Sequence, residues 1–334
     1  MKSSPLIILL LCLLSSCSFQ DRKPRLVASK GLPSELLLVV DDQVWQSDIA
    51  DTLKAITQGA VPGLMQEEPF FKTVRISSRH YIQTYTTFHS KLFVHLDPTL
   101  RRPMIGISRD VVARPQIEVT VSAPAMESLR AFLSARAGFI RQIIADDQIE
   151  MRAGLLRKHS NPGIEQKMLS ATGYGMKVPE QIRAAKVGKD FVWAGSNLNE
   201  KDLNVVLYVL PWDGRDINDE EMFLRNRDSV MRKNIPGSRQ DQWMQTTRVD
   251  GNPVIFSRQR ELDGGQVMEV RGLWEMRNGA LGGPFVSLTR VDTASRKLIV
   301  TEGFVYSPST DKRDLLRQTE ASLRTLYKKD ELKK

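Results

Sequence analysis

The sequence predicts an α+β protein of two halves, each with a largely antiparallel sheet backed by helices. Each half runs from a short apolar strand through a helix to several strand-like segments and a further helix. Turns containing glycine or asparagine separate the strand-like segments of the second half, and such meanders typically form antiparallel sheets with helices on one face. With 334 residues, of which 41% are hydrophobic, the chain can bury a sizeable core without disulfide or metal support.

The first half, residues 34–178, is predicted from alternating strand and helix patterns. Its first strand is a run of five aliphatic residues, 36–40, and its longest helix opens at Pro124, where apolar residues recur every three or four positions. The predicted elements are, in order, a strand at 36–40, a helix at 45–56, strands at 72–76, 91–96, 104–108 and 116–121, a helix from 124 that weakens over 151–156, and a helix at 164–171.

The second half, residues 179–334, repeats this order with more strands. Its helix at 219–231 is acidic at its start and basic at its end, which the helix dipole favours. Ser309 or Thr310 is predicted to cap the last helix. The predicted elements are strands at 190–193 and 203–210, the helix at 219–231, strands at 243–249, 254–260, 267–276, 284–291 and 297–306, and a helix that begins near 309.

Residues 1–16 are predicted to be a lipoprotein signal peptide. Lys2 supplies the positive charge, and the apolar run from Leu6 to Leu14 is too short to span a bilayer as a helix. The run ends in Leu-Ser-Ser followed by Cys17, which resembles a bacterial lipobox. Cys17 is therefore predicted to carry a diacylglycerol on its sulfur, and residues 17–33 to form the lipidated cysteine and a polar tether.

Cysteine content and charge restrict the chemistry and the partners. Cys12 would leave with the signal peptide and Cys17 would be consumed by lipid, so no cysteine nucleophile, thiolate zinc site or disulfide is expected. The net charge of +9 is scattered without a long basic block, so no nucleic-acid partner is expected. The expected partners are a membrane, bound through the N-terminal acyl chains, and an envelope protein or glycan.

Two sets of motifs carry a family resemblance. They are 63–71 with 88–94, and 271–275 with 282–287, 302–306 and 311–313. Together with the lipobox they resemble a family of uncharacterised Bacteroidota lipoproteins that contain a domain of unknown function. The resemblance covers nearly the whole mature chain and implies an envelope location, but no activity, substrate or catalytic residue. Surface-displayed members of this group usually carry an acidic run after the cysteine, and its absence here favours the periplasmic face of the outer membrane.

The residues offer few candidates for chemistry. Glu67 and Glu68 form a carboxylate pair that could work with His89 as a binding or acid–base patch, although adjacent side chains usually point apart. The four histidines lack the spacing of a metal site, so no metal is expected. Neither a phosphate-binding loop nor a dinucleotide fingerprint occurs, so no cofactor is expected.

These observations predict a lipid-anchored cell-envelope protein that acts as a non-catalytic binding or assembly component. One alternative is an envelope hydrolase, which would need convergent carboxylates with raised pKa values in a cleft. Another is a carrier of an apolar ligand, which would need a large apolar cavity. A binding module would instead present an exposed apolar patch and no cleft.

Overall fold

The computed structural model describes residues 26–330, so the predicted signal peptide and Cys17 lie outside the described residues. Within this range the chain forms seven α-helices, none of them both long enough and apolar enough to cross a membrane. The helices are α1 Asp42–Trp45, α2 Ile49–Gln58, α3 Gln83–Thr86, α4 Met126–Leu156, α5 Pro162–Thr172, α6 Glu220–Asn234 and α7 Arg313–Leu323.

The strands build two main sheets and several two-stranded ribbons. Those that precede α4 are β1 Val27–Ala28, β2 Glu35–Val40, β3 Lys72–Ile76, β4 Ser90–Leu96, β5 Met104–Arg109, β6 Ala113–Arg114 and β7 Ile117–Ala123. Those that follow α5 are β8 Tyr174–Gly175, β9 Ala184–Gly188, β10 Phe191–Gly195, β11 Asp202–Pro211, β12 Met244–Thr246, β13 Arg248–Val249, β14 Asn252–Pro253, β15 Ile255–Leu262, β16 Gly265–Met276, β17 Gly282–Asp292, β18 Lys297–Tyr306 and β19 Tyr327–Lys328.

The first sheet has five strands in the order β3-β2-β4-β7-β5. All neighbours in it are parallel except β5 and β7. The α+β class is confirmed, but the largely antiparallel sheet predicted for the first half is wrong. The reason is that α1 and α2 carry the chain back along the sheet before β3, whereas a tight turn would have reversed its direction. A run of apolar residues buried on both faces, such as 36–40, is typical of a parallel sheet.

Helices α2 and α4 cover one face of the first sheet. Alternate residues of β2, β4 and β7 point to this face and are almost completely buried. They meet apolar residues that recur at helical spacing on both helices. This core includes Leu36, Leu38, Leu92, Val94, Val119 and Val121 from the strands and Leu53, Ile56, Leu133, Ile140 and Ile144 from the helices.

The second sheet is antiparallel throughout, as predicted for the second half. Its order is β12-β16-β17-β18-β11-β10-β9, and β15 also pairs with β16. Apolar residues of α6, including Phe223 and Met231, cover one face. The other face packs against α5 and α7 through residues such as Met168 and Leu316. Both faces of this sheet are therefore buried.

Helix α7 lies between the two halves, against β18 on one side and α4 on the other. Its apolar residues join the core of the second half. Toward the first half, Nη1 of Arg317 donates to Oγ of Ser34 at 2.8 Å and to Oε1 of Gln148 at 3.1 Å. At α7, apolar contacts thus face the second half and polar contacts face the first.

Candidate functional site

The two predicted glutamates lie in different environments. Glu67 is exposed, whereas Glu68 is buried. The Glu68 carboxylate accepts hydrogen bonds from the backbone N–H groups of Lys312, at 2.6 Å, and Arg313, at 2.9 Å. These groups open α7, so Glu68 satisfies N–H donors that a helix start leaves unpaired. The structure therefore gives Glu68 a role in joining the first half to α7.

His89 is buried just before β4 and faces α4. Its Nδ1 lies 2.8 Å from the carbonyl oxygen of Pro115, and its Nε2 lies 3.3 Å from Oδ2 of Asp147. In the described part of the chain, no hydrogen bond or ion pair joins His89 to Glu67 or Glu68. The three predicted residues are therefore not brought together by any polar contact, and both buried members are engaged elsewhere.

A groove of about 810 Å³ opens at one end of the second sheet. It lies where the loop after β11 meets the β15–β16 and β17–β18 turns, and the residues after α7 close its remaining side. Its walls combine rings, aliphatic side chains, amides and charges. The principal side chains are Tyr174, Trp212, Asp216, Gln259, Leu262, Gln266, Arg290, Asp292, Ile299, Leu326 and Tyr327.

Arg290 of β17 is the unusual group in this wall. Its guanidinium makes two long hydrogen bonds, to Oγ1 of Thr301 at 3.5 Å and to the carbonyl oxygen of Leu323 at 3.4 Å. Burial lowers the pKa of Arg290 to about 10, which leaves it charged at neutral pH. No ion pair within residues 26–330 joins Arg290 to an acidic side chain. A guanidinium has five donors, and here they are weakly used.

Asp292, also in the groove, has its hydrogen-bonding capacity filled. Its Oδ2 accepts from the Tyr174 hydroxyl at 2.7 Å and from Nζ of Lys328 at 2.6 Å, and its Oδ1 accepts from the backbone N–H of Ser295 at 3.0 Å. The hydrogen bond from Lys328 is the main cause that lowers the pKa of Asp292. Asp292 therefore stays ionised and fixes the wall, which is the opposite of what a general acid requires.

Family models cover most of the described residues. Residues 29–156 match the domain of unknown function DUF8532, and residues 161–325 match the domain of unknown function DUF4837. Both halves match domains of unknown function. The predicted resemblance to proteins with a domain of unknown function is confirmed. That the chain is a Bacteroidota lipoprotein stays a prediction. No curated protein matches the chain.

Two solved structures resemble part of the chain. The Ran-binding protein Mog1p of Saccharomyces cerevisiae aligns with a TM-score of 0.32 and 10% identity, over 48% of this chain and 92% of that one. A mutant of protein Mog1 aligns with a TM-score of 0.29 and 11% identity, over 46% of this chain and 90% of that one. Likeness at this level shows neither a shared function nor a shared ligand.

Glu302 lies in the half that matches DUF4837, and burial raises the pKa of its carboxyl group. This residue pairs with Arg227 of α6 and does not line the groove. Among the described residues, no group of three or more His, Cys, Asp or Glu side chains is placed to hold a metal ion. The arrangement that a hydrolase would need is therefore not formed around Glu302.

The groove was not predicted from the sequence. Arg290 is the one charged residue in the strand predicted at 284–291, and an arginine at that position is the signal that could have indicated the groove. The walls come from four separate segments of the DUF4837 half and the residues just after it. Their convergence depends on strand pairing, which local patterns do not specify. The expectation of a binding module without a cleft is wrong, because a groove is present.

Proposed function

We propose that this chain is a lipid-anchored, non-catalytic binding protein of the cell envelope, and that its groove takes an acidic saccharide. Cys17 would hold the protein to the membrane through acyl chains, and the tether would let the body stand off the bilayer. The periplasmic face of the outer membrane is the location that fits the mixed charge after Cys17. The ligand class is proposed from the position of Arg290 in the groove wall and from its lack of an ion pair among the described residues.

The charge of Arg290 favours an anionic ligand. A largely buried charge is costly when no opposite charge is paired directly with it. Asp263, which also lines the groove, acts on Arg290 through its charge but makes no ion pair with it. Arg290 is held in the groove wall by two long hydrogen bonds to neutral acceptors. A carboxylate would supply two charge-assisted hydrogen bonds to the guanidinium fork in place of these weak contacts.

The rest of the groove favours a saccharide as the body of the ligand. The rings of Trp212 and Tyr327 lie in the wall and offer flat apolar surface, whereas the ring of Tyr174 is almost completely buried. The amides of Gln259 and Gln266 supply donors and acceptors for hydroxyl groups. A carrier of an apolar ligand would need a uniformly apolar wall, which this mixture does not provide.

Binding of a uronic acid oligomer tests the ligand class. Full-length protein in detergent should bind trigalacturonic acid in calorimetry and should not bind neutral maltotriose. Arg290→Gln should weaken binding about tenfold or more, because a charge-assisted hydrogen bond is lost. Arg248→Gln, an exposed site outside the groove, should bind as the natural protein does. Equal binding of both sugars, or no effect of Arg290→Gln, would contradict the proposal.

Acylation of Cys17 is tested in cells. Protein labelled with an alkyne analogue of palmitate should carry the label and sediment with outer membranes. Cys17→Ser should remove the label and release the body into the soluble fraction, since multiple acyl chains are what hold such proteins stably. Label retained on Cys17→Ser, or an unlabelled natural chain, would refute the anchor without bearing on the groove.

A further inference from the structure

A cavity of about 100 Å³ lies between the two halves, separate from the groove. The first half contributes Phe70 and, from α4, Ile149. The second half contributes Phe256 and Arg258 of β15, Arg271 of β16 and Arg317 of α7. Phe256 is 56% exposed and Arg258 is 42% exposed, so the cavity is reached from solvent beside β15.

We infer that this cavity is a binding site for a small monocarboxylate with an apolar body, held by the guanidinium group of Arg317 and touching both halves of the protein. The inference does not depend on the function proposed for the groove. Three features carry it: the charge balance of the junction, the environment of Arg317, and a cavity wall that combines arginines with apolar side chains.

Positive charge is in excess at the junction. Seven arginines meet five carboxylates there, and within residues 26–330 no ion pair reaches Arg152 or Arg317. The arginines are Arg152, Arg258, Arg260, Arg271, Arg313, Arg317 and Arg324, and the carboxylates are Glu68, Asp146, Glu269, Asp314 and Glu320. Unbalanced charge of one sign in a poorly solvated region favours a bound counter-ion.

Among the described arginines that make no ion pair, Arg317 is the most buried. It is 4% exposed, and its partners are the neutral oxygens of Ser34, Gln148 and Phe70, at 2.8, 3.1 and 2.8 Å. Burial is the main cause that lowers its pKa to about 9, and the charge of Arg313 acts in the same direction. A carboxylate in the cavity would place a negative charge against this guanidinium.

The remaining wall limits the ligand to a monoanion with an apolar body. The rings of Phe70 and Phe256 and the side chain of Ile149 also line the cavity. The Phe70 ring lies 5.3 Å from the guanidinium of Arg317, and Phe256 is the cross-strand partner of Arg271. Glu269 also lines the cavity, and its two oxygens accept from Arg258, Arg260 and Arg271 at 2.6 to 3.1 Å. Its charge is thereby compensated, but a second negative charge on the ligand would still lie close to it. A polyphosphate or a sugar would leave these apolar side chains without matching contacts.

Benzoate is the probe that tests this site. Titration of the full-length protein in detergent should show benzoate binding and a rise in the melting temperature that grows with its concentration. Benzamide, which has nearly the same shape without the charge, should not bind. Arg317→Gln should weaken benzoate binding about tenfold or more.

Two further variants separate this site from the groove and from folding effects. Ala145→Leu fills the cavity from α4 without removing an arginine and should abolish benzoate binding. Arg290→Gln should leave benzoate binding unchanged. Binding of benzamide as strong as benzoate, benzoate binding that survives both Arg317→Gln and Ala145→Leu, or binding of inorganic phosphate alone would overturn the inference.

Discussion

Replacing Glu302 with glutamine is expected to lower the free energy of unfolding by about 3–5 kcal/mol, because it leaves a buried arginine without its main counter-charge. Glu302 of β18 and Arg227 of α6 are both completely buried. The carboxylate accepts from Nε of Arg227 at 2.9 Å and from Nη2 at 2.7 Å. This bidentate geometry is the strongest form of an arginine–carboxylate ion pair.

The other contacts of Arg227 place the loss toward the lower end of that range. Asp228 lies 3.5 Å from Nη1, which leaves part of the charge compensated. Nη1 also donates to Oγ1 of Thr246 at 2.9 Å, and the guanidinium lies 3.9 Å from the centre of the Phe285 ring. The contacts with Thr246 and Phe285 hold the side chain in place but supply no negative charge to replace that of Glu302.

Urea unfolding followed by circular dichroism measures this effect, with an exposed pair as the control. Asp213→Asn breaks the ion pair with Arg215 at the surface and should leave the unfolding midpoint unchanged, because exposed pairs contribute little. A double variant, Arg227→Met with Glu302→Gln, should recover much of the loss by removing the orphaned charge. If Glu302→Gln unfolds at the same urea concentration as the natural protein, the pair does not stabilise the fold.

Local patterns were sufficient to locate most elements but not their pairing. The strand predicted at 297–306 coincides with β18, and the helix predicted at 164–171 lies within α5. The single helix predicted at 45–56 is instead α1 and α2, and Oγ of Ser47 accepts from the N–H of Ile49 where α2 starts. A side chain that can hydrogen-bond its own backbone interrupts a helical pattern in a way that apolar spacing does not reveal.

Contacts between distant segments account for the parts of the site that the sequence did not reveal. Ser309 or Thr310 was the predicted cap of the last helix, and this prediction is wrong: α7 begins at Arg313, and Glu68 caps it from 244 residues away. Glu68 is a predicted site residue because of its carboxylate. In the fold that carboxylate binds the start of α7, a contact that no local motif indicates. Long-range partners of this kind follow from the tertiary fold alone.

Several of the motifs that carry the family resemblance lie at the junction of the halves. A Cβ on Gly63, whose φ is +81°, would lie 3.1 Å from Cβ of Arg271 and from the backbone nitrogen of Gly272. In the same region Glu68 binds the start of α7, and Arg317 lies over the ring of Phe70 at 5.3 Å. Gly63 and Phe70 therefore shape the contact between the halves, whereas Trp274 and Phe304 of the other motifs pack in the core beneath α6. These structural roles explain why the motifs suggest no catalytic chemistry.

Gly303, in one of these motifs, is expected to be intolerant of a side chain. A Cβ at this position of β18 would lie 2.6 Å from Cβ of Thr319 on α7, well inside van der Waals contact. Thr319 has little freedom to move away, because its hydroxyl donates to the carbonyl oxygen of Leu316 at 2.8 Å. Gly303→Ala should therefore displace α7 and lower the free energy of unfolding by about 1–3 kcal/mol.

The same substitution at an open position provides the matched control. Gly138 lies in α4, and a Cβ there would meet nothing within 4 Å, so Gly138→Ala should raise the free energy of unfolding by about 0.5–1 kcal/mol. In Gly303→Ala with Thr319→Gly, the clash is removed from the other side, and the combined loss should be smaller than the sum of the two single losses. Strictly additive losses, or a Gly303→Ala protein as stable as the natural one, would show that α7 does not depend on this close approach. Because α7 also carries Arg317, a displaced helix should weaken the carboxylate site between the halves together with the fold.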